Sequence, residues 1–152
     1  MTPSQLRARI IHEKATWIQQ MLASVNTLPL KSYKDFHADP RNYPAAESFV
    51  RRALEALLDL GRHILAKGFG QAVAEYKEIA RSLVDLKVLN ESDGDLLRQL
   101  AGYRNRLVHY YDEISEQELY EICKNRLADI ESLLEAFRGW IKKHPEMIDQ
   151  AI

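Results

Sequence analysis

The chain has 152 residues, which suits one domain able to bury a full apolar core. Lysine and arginine number 21 and aspartate and glutamate 22, so the formal net charge is −1. This balance argues against binding of nucleic acid through bulk positive charge, but it is compatible with a small basic site. Six glycines and five prolines disfavour a turn-rich β sandwich or barrel, and a hydrophobic fraction of 46% disfavours disorder.

Cysteine usage and hydropathy indicate the cellular compartment of the protein. Because Cys123 is the only cysteine in the sequence, a disulfide within the chain is excluded and a cysteine-based zinc site is nearly excluded. No apolar run approaches the roughly 20 residues that span a bilayer, and charges interrupt the N-terminal segment where a signal peptide would be apolar. We expect a cytoplasmic protein with no membrane association, and Cys123 as a small core residue.

Apolar residues recur at helical spacing in five segments. The predicted helices cover residues 3–25 (with Thr2 as N-cap and Pro3 at the first position), 44–67, 76–86, about 92–110 and 115–144. Residues 29–43 are expected to form a loop that packs on the body through its aromatic side chains. No strand alternation is sustained, so the sequence predicts an all-α antiparallel bundle of about five helices. The bundle would be a single domain over residues 1–152, with its core at about 3–144.

Local signals define several of these helix ends. Ser115 and Glu118 have the spacing of a capping box, and Pro145 stops the last helix. Residues 68–70, Gly-Phe-Gly, are typical of a helix C-terminus followed by a turn. Gly61 lies inside the second helix, where glycine costs up to about 1 kcal/mol relative to alanine, and it therefore predicts a close approach of two helices.

One stretch, residues 102–111, concentrates two guanidinium groups, an amide, an imidazole and three phenols at one helix end. Asn105 and His109 are four apart and share a helix face. Arg104 and His109 are five apart, about 140° around the axis, so they do not converge on one straight helix. Either the helix ends near His109 and the imidazole swings round, or two copies of the helix meet in a symmetric dimer.

A purely structural role also fits this stretch, because an arginine and a histidine at a helix C-terminus complement the helix dipole. Arg51 and Arg52 are typical of a solvated face, or of a positive surface extending toward a dimer cleft. Trp17 and Trp140 lie in apolar stripes and are expected in the core or an interface. No metal site is expected, because the remaining histidines are spread without metal-ligand spacing: His12, His37, His63 and His144.

The segment from Arg104 to His109 resembles the R-x4-6-H motif of the HEPN superfamily of small all-helical proteins. With Tyr111 it further resembles the R-x4-H-x-Y signature of HepT-type toxins. The segments ALEALLDLGRHILAKGFG, YKEIARSLVDLKVL and ELYEICKNRLADIESLLEAF fit the same layout, so the resemblance covers about residues 1–142.

The resemblance implies a metal-independent endoribonuclease that needs no cofactor and acts as a homodimer with a shared cleft. In such enzymes the RNA 2′-hydroxyl attacks the adjacent phosphate. His109 would transfer protons, and Arg104 would stabilise the charged phosphate. Asn105 would orient the phosphate or the imidazole. Whether the substrate is tRNA or mRNA stays open.

The resemblance also implies a regulatory partner, an MntA-type minimal nucleotidyltransferase antitoxin that transfers AMP to Tyr111. Added negative charge and bulk beside the cleft would exclude RNA. Tyr110 is the neighbouring phenol, but the motif spacing selects Tyr111. An alternative is that the chain is a non-catalytic substrate-binding or regulatory subunit of a minimal nucleotidyltransferase.

The motif segment differs in charge from the whole chain. Residues 95–111 contain Arg98, Arg104 and Arg106 against Asp95 alone, a surplus of two positive charges before any contribution from histidine. We therefore expect Arg98 and Arg106 to contact RNA near the cleft. Affinity for duplex DNA should be small.

Overall fold

The computed structural model describes residues 5–109 and 114–149, which form seven α-helices and one pair of two-residue strands. The helices are α1 (Ala8–Val25), α2 (Tyr33–Ala38), α3 (Asn42–His63), α4 (Tyr76–Asp85), α5 (Glu91–His109), α6 (Glu116–Asn125) and α7 (Leu127–Lys143). A π-helical turn, Ile64–Gly68, continues α3, and a 3-10 turn, Pro145–Met147, follows α7. Strand β1 (Leu6–Arg7) pairs in parallel with β2 (Ile148–Asp149). The all-α prediction is confirmed.

Helix α3 is the centre of the bundle, because α1, α4, α5, α6 and α7 all pack against it. Its apolar residues cover more than one face, as the sequence predicts for a central helix. The side chains of Val50, Leu54, Leu57 and Leu60 are fully or almost fully buried. Their burial is the main stabilising term for this helix, since each buried aliphatic side chain contributes about 1.5–3 kcal/mol.

Gly61 marks the close approach that the sequence predicts. A Cβ atom at this position would lie 3.1 Å from side-chain atoms of Ile79 and Leu83 and 3.3 Å from the ring of Phe137. These three neighbours come from α4 and α7 and are fully buried. The glycine therefore lets α4 and α7 close on the same turn of α3.

The loop predicted over residues 29–43 is wrong in part, because α2 lies inside it. The hydroxyl of Ser32 accepts the Asp35 N–H at 3.1 Å and caps this short helix. Phe36 is fully buried, so the expected packing of the segment on the body is confirmed. Helix α3 begins at Asn42 rather than at Pro44, since proline is tolerated within a first helical turn.

The last predicted helix, residues 115–144, is in fact two helices, α6 and α7. Together with the unpredicted α2, this split raises the number from five to seven. They are separated at Arg126, whose backbone φ is −112° and ψ is −3°. The apolar spacing continues across this break, so periodicity alone did not indicate it. The predicted cap is confirmed, because the Ser115 hydroxyl accepts the Glu118 N–H at 3.1 Å.

Helix α1 begins at Ala8, later than predicted, because Leu6 and Arg7 are extended in β1. Thr2 and Pro3, the predicted cap, lie outside the described residues. The Arg7 N–H donates to His63 Nε2 at 3.1 Å. Burial, together with nearby positive charges, lowers the pKa of His63 to about 4, so the ring is neutral at pH 7 and can accept this bond.

The remaining structural expectations have mixed outcomes. Cys123 is buried and burial raises its pKa to about 12, which confirms a core residue rather than a nucleophile. Trp17 is 39% exposed and so is not a core residue, and the interface role expected as its alternative stays a prediction. Trp140 is half-buried and stacks on His144 at 4.4 Å. In the described ranges no helix has the length and hydropathy to cross a bilayer.

Candidate functional site

Helix α5 directs Arg104 toward α3, where a carboxylate fixes its guanidinium group. Arg104 Nε and Nη2 both donate to Glu55 Oε2, at 3.2 and 2.8 Å. Nη1 donates to Asn105 Oδ1 at 3.2 Å. The Arg104 side chain is only 19% exposed, so the ion pair is partly shielded from water. The guanidinium of the motif arginine is therefore held in one orientation by two side chains.

The same guanidinium also lies over an aromatic ring. Tyr76, the first residue of α4, has its ring centroid 4.6 Å from Arg104 Cζ and 4.8 Å from Arg62 Cζ. Its hydroxyl donates to Asp59 Oδ1 at 2.9 Å. Burial, reinforced by the hydrogen bond to Asp59, raises the pKa of Tyr76 to about 12. The phenol therefore stays protonated at pH 7 and donates its hydrogen to Asp59.

Glu55 is itself fixed by a second arginine. Arg51 Nη1 donates to Glu55 Oε1 at 3.0 Å, and Arg51 Nε lies 3.5 Å from Glu47 Oε1. The expected solvated face holds for Arg52, which is exposed, but not for Arg51, whose side chain is 29% exposed. The two Glu55 oxygens thus accept hydrogen bonds from different arginines, one on α3 and one on α5.

The surplus of positive charge in residues 95–111 is smaller in the fold than in the sequence. Arg106 Nη1 and Nη2 donate to the two carboxylate oxygens of Glu118, at 2.8 and 2.7 Å. With the Glu55 pair, two carboxylates from other helices offset that surplus. Arg98 differs, since it is 65% exposed and lies 3.9 Å from Asp95. Glu55 lies 49 positions from Arg104, and Glu118 lies 12 positions from Arg106. Counting charges within residues 95–111 therefore does not reveal these two ion pairs.

A groove of about 430 Å³ runs between α4 and α5 and reaches Arg98. Three exposed cations line it, Lys77, Arg81 and Arg98, together with four carboxylates, Glu78, Asp85, Glu91 and Asp95. Gly94 makes room for α4 in this groove, since a Cβ there would lie 2.2 Å from Val84 Cγ2. Since α4 and α5 run in opposite directions, Lys77 lies at the end of the groove nearest Arg104.

The structure tests the remaining motif residues only in part. Helix α5 continues to His109, so Asn105 and His109 lie on one helical face, as predicted. The His109 side chain and Tyr111 lie outside the described residues. Their convergence with Arg104, and the dimer that would bring it about, stay predictions.

The sequence reasoning missed Glu55, Tyr76, Lys77 and Arg81. Glu55 and Tyr76 lie in segments whose apolar residues dominate the pattern, and only their distance to Arg104 identifies them. Lys77 and Arg81 are four apart on α4, which is a weak signal by itself. Within the described residues, no group of three or more histidine, cysteine, aspartate or glutamate side chains lies close enough to hold a metal ion.

The bundle has the fold of a known class of helical toxins. It superposes with a TM-score of 0.77 on a tri-AMPylated HEPN toxin from Shewanella oneidensis in complex with MNT antitoxin, at 19% identity. That match covers 86% of this chain and 97% of the toxin. The family model for Ribonuclease HepT-like proteins matches residues 6–137, and the chain therefore belongs to the HepT-like family of the HEPN superfamily.

A bacterial relative is similar in both sequence and structure. YutE of Bacillus subtilis, named "Putative RNase YutE", is 29% identical over 89 residues, and the match spans 59% of this chain but only 62% of YutE. Its structure, described as that of a cytosolic protein of unknown function, gives a TM-score of 0.73 at 25% identity. The superposition covers 92% of this chain and 94% of YutE.

A further solved structure, of a toxin–antitoxin complex with AMP-PNP, gives a TM-score of 0.74 at 19% identity. It covers 84% of this chain and 97% of that chain. At 19% identity this likeness shows a shared fold and nothing further.

Proposed function

We propose that the chain is a metal-independent endoribonuclease of a toxin–antitoxin pair. The observation that carries this proposal is the fixed guanidinium of Arg104 on the motif helix of a HepT-like protein. The structural neighbours that include HEPN toxins in complex with MNT antitoxin support the toxin assignment. The protein would act in the cytoplasm, as the cytosolic description of YutE also suggests.

Arg104 has the geometry to bind a phosphate while it keeps its present contacts. A guanidinium has five N–H groups, and Arg104 donates three of them, two to Glu55 and one to Asn105. Two N–H groups are left without a partner among the described residues. They would bind the non-bridging oxygens of the scissile phosphate and stabilise the charge that develops there.

His109 would transfer the protons of the reaction. The RNA 2′-hydroxyl loses its proton and attacks the adjacent phosphorus, and the bond from phosphorus to the 5′-oxygen breaks as that oxygen gains a proton. An imidazole exchanges protons near neutral pH and suits this work. Because Arg104 and His109 differ by about 140° around α5, we propose that a second copy of the chain completes the site. Asn105, bonded to Arg104, would orient the phosphate.

The RNA strand would follow the groove between α4 and α5. Arg98, Lys77 and Arg81 present exposed cations there and would contact the backbone phosphates. Arg106 would contribute by exchanging its Glu118 contact for a phosphate. Glu78, Asp85, Glu91 and Asp95 also line the groove and oppose extended binding, so affinity for duplex DNA should be low. Single-stranded regions of tRNA or mRNA are the proposed substrate.

Incubating the purified protein with RNA tests the proposal directly. We expect cleavage that is unchanged by EDTA and is abolished in the His109→Ala variant, because proton transfer needs the imidazole. Loss of cleavage on chelation would contradict the metal-independent mechanism. RNA binding without cleavage, in the presence or absence of added metal, would instead favour a non-catalytic subunit of a nucleotidyltransferase.

Tyr111 is the proposed site of control by an MntA-type nucleotidyltransferase antitoxin. Its phenol oxygen would attack the α-phosphorus of ATP, so that pyrophosphate leaves and AMP becomes bonded to the side chain. Incubation with ATP and such an enzyme should add AMP to the wild-type chain and to Tyr110→Phe, but not to Tyr111→Phe. Mass spectrometry of the intact chains measures this, and equal labelling of all three would refute the assignment.

A further inference from the structure

Glu55 stands out among the charged residues that the motif did not include. Many ion pairs of this protein join residues three or four apart on one helix, such as Arg138 with Glu135 and Arg9 with Glu13. Glu55 and Arg104 are 49 positions apart and connect α3 to α5. Two nitrogens of one guanidinium donate to a single carboxylate oxygen, so the contact fixes one edge of the arginine.

The surroundings of this pair restrict the guanidinium on several sides. Glu55 cannot rotate freely, because its other oxygen accepts from Arg51. The Arg104 guanidinium also lies over the ring of Tyr76, which is itself held by Asp59 and Arg62. Contacts with Glu55, Asn105 and Tyr76 thereby restrict the orientation of an otherwise flexible side chain. This is the preorganisation that transition-state stabilisation requires.

We propose that Glu55 is the positioning residue that orients Arg104 toward the scissile phosphate. This inference rests on the proposed ribonuclease function and deepens it. Glu55 occupies the edge formed by Nε and Nη2, and it leaves the two remaining N–H groups for the phosphate. Its carboxylate also competes with the phosphate for the same guanidinium, so it lowers ground-state affinity while it fixes the geometry of the reaction.

These two effects predict opposite changes in the Glu55→Gln variant. Turnover of single-stranded RNA should fall by about 10- to 100-fold, because the guanidinium loses its fixed orientation. Affinity for a short fluorescein-labelled single-stranded RNA should rise by about fivefold, because a competing negative charge is removed. Fluorescence anisotropy in a His109→Ala background measures affinity without cleavage. A residue that merely stabilised the fold would lower turnover and affinity together.

Two further variants isolate the path through Arg104. Glu47→Gln is a matched control, because Glu47 contacts Arg51 from the same helix, and no contact with Arg104 is described. It should keep wild-type turnover. Adding Glu55→Gln to Arg104→Ala should slow cleavage no further than Arg104→Ala alone, as expected if Glu55 acts only through Arg104.

The outcomes separate this inference from the proposed function. Wild-type cleavage together with unchanged turnover in Glu55→Gln would overturn the positioning role and leave the nuclease intact. Reduced RNA affinity in Glu55→Gln, or additive losses in the double variant, would also overturn it. If the wild-type protein neither cuts nor binds RNA, the proposed function fails and the positioning role fails with it.

Discussion

Replacing Arg104 by alanine is expected to slow RNA cleavage by about 10²–10³-fold, the usual cost of removing a charge-stabilising donor from a transition state. The cleavage rate of Arg104→Lys should lie between those of the wild type and the alanine variant, since lysine keeps the charge but lacks the planar fork that contacts Glu55 and lies over Tyr76. Initial rates on a labelled single-stranded RNA give the comparison.

The alanine variant should remain folded. Glu55 keeps its partner Arg51 when Arg104 is removed, so no isolated charge is left partly buried. Arg9→Ala is a suitable control, because Arg9 is 65% exposed and its ion pair among the described residues is with Glu13 on the same helix. Wild-type cleavage rates in Arg104→Ala, with the protein shown to be folded by circular dichroism, would refute the role of the guanidinium.

Phe137→Ala is expected to lower the free energy of unfolding by about 3–5 kcal/mol. The ring is fully buried, and it fills the space opposite Gly61 where α3 and α7 meet. Small domains have a total stability of about 5–15 kcal/mol, so this variant should be close to unfolding at 37 °C. Urea denaturation followed by circular dichroism measures the difference.

Arg138→Ala serves as the comparison for Phe137→Ala. Arg138 is the next residue on α7, but its side chain is 38% exposed and its ion pair with Glu135 is at the surface. Its loss should cost less than about 1 kcal/mol. A loss below 1 kcal/mol for Phe137→Ala would mean that the core around Gly61 is not packed as the structure places it.

Much of the fold follows from helical periodicity, and the errors have physical causes. The central position of α3 could be predicted, because its apolar residues occupy more than one face. The short helix α2 was missed since its six residues are too few to show periodicity, and its stability comes from the burial of Phe36. The break at Arg126 was missed because the apolar spacing continues through it.

The candidate site divides in the same way. Arg104, Asn105 and His109 lie close together in sequence, and a motif of contiguous residues can be found without a structure. Glu55 and Tyr76 reach Arg104 only through tertiary packing, and neither residue type is unusual on a helix surface. The pairing of Arg106 with Glu118 likewise changes the local charge in a way that counting along the sequence does not reveal.

The position of Glu55, Asp59 and Arg62 on a single helix has a consequence for how the site tolerates change. These residues are four and three apart, so they form one row on α3, opposite side chains that are buried in the bundle. A shift of the α3 register by one residue would move this row by about 1.5 Å and turn it by about 100° around the axis, away from Arg104, without altering its internal spacing. The register of the central helix therefore sets the alignment of the polar row with the motif helix.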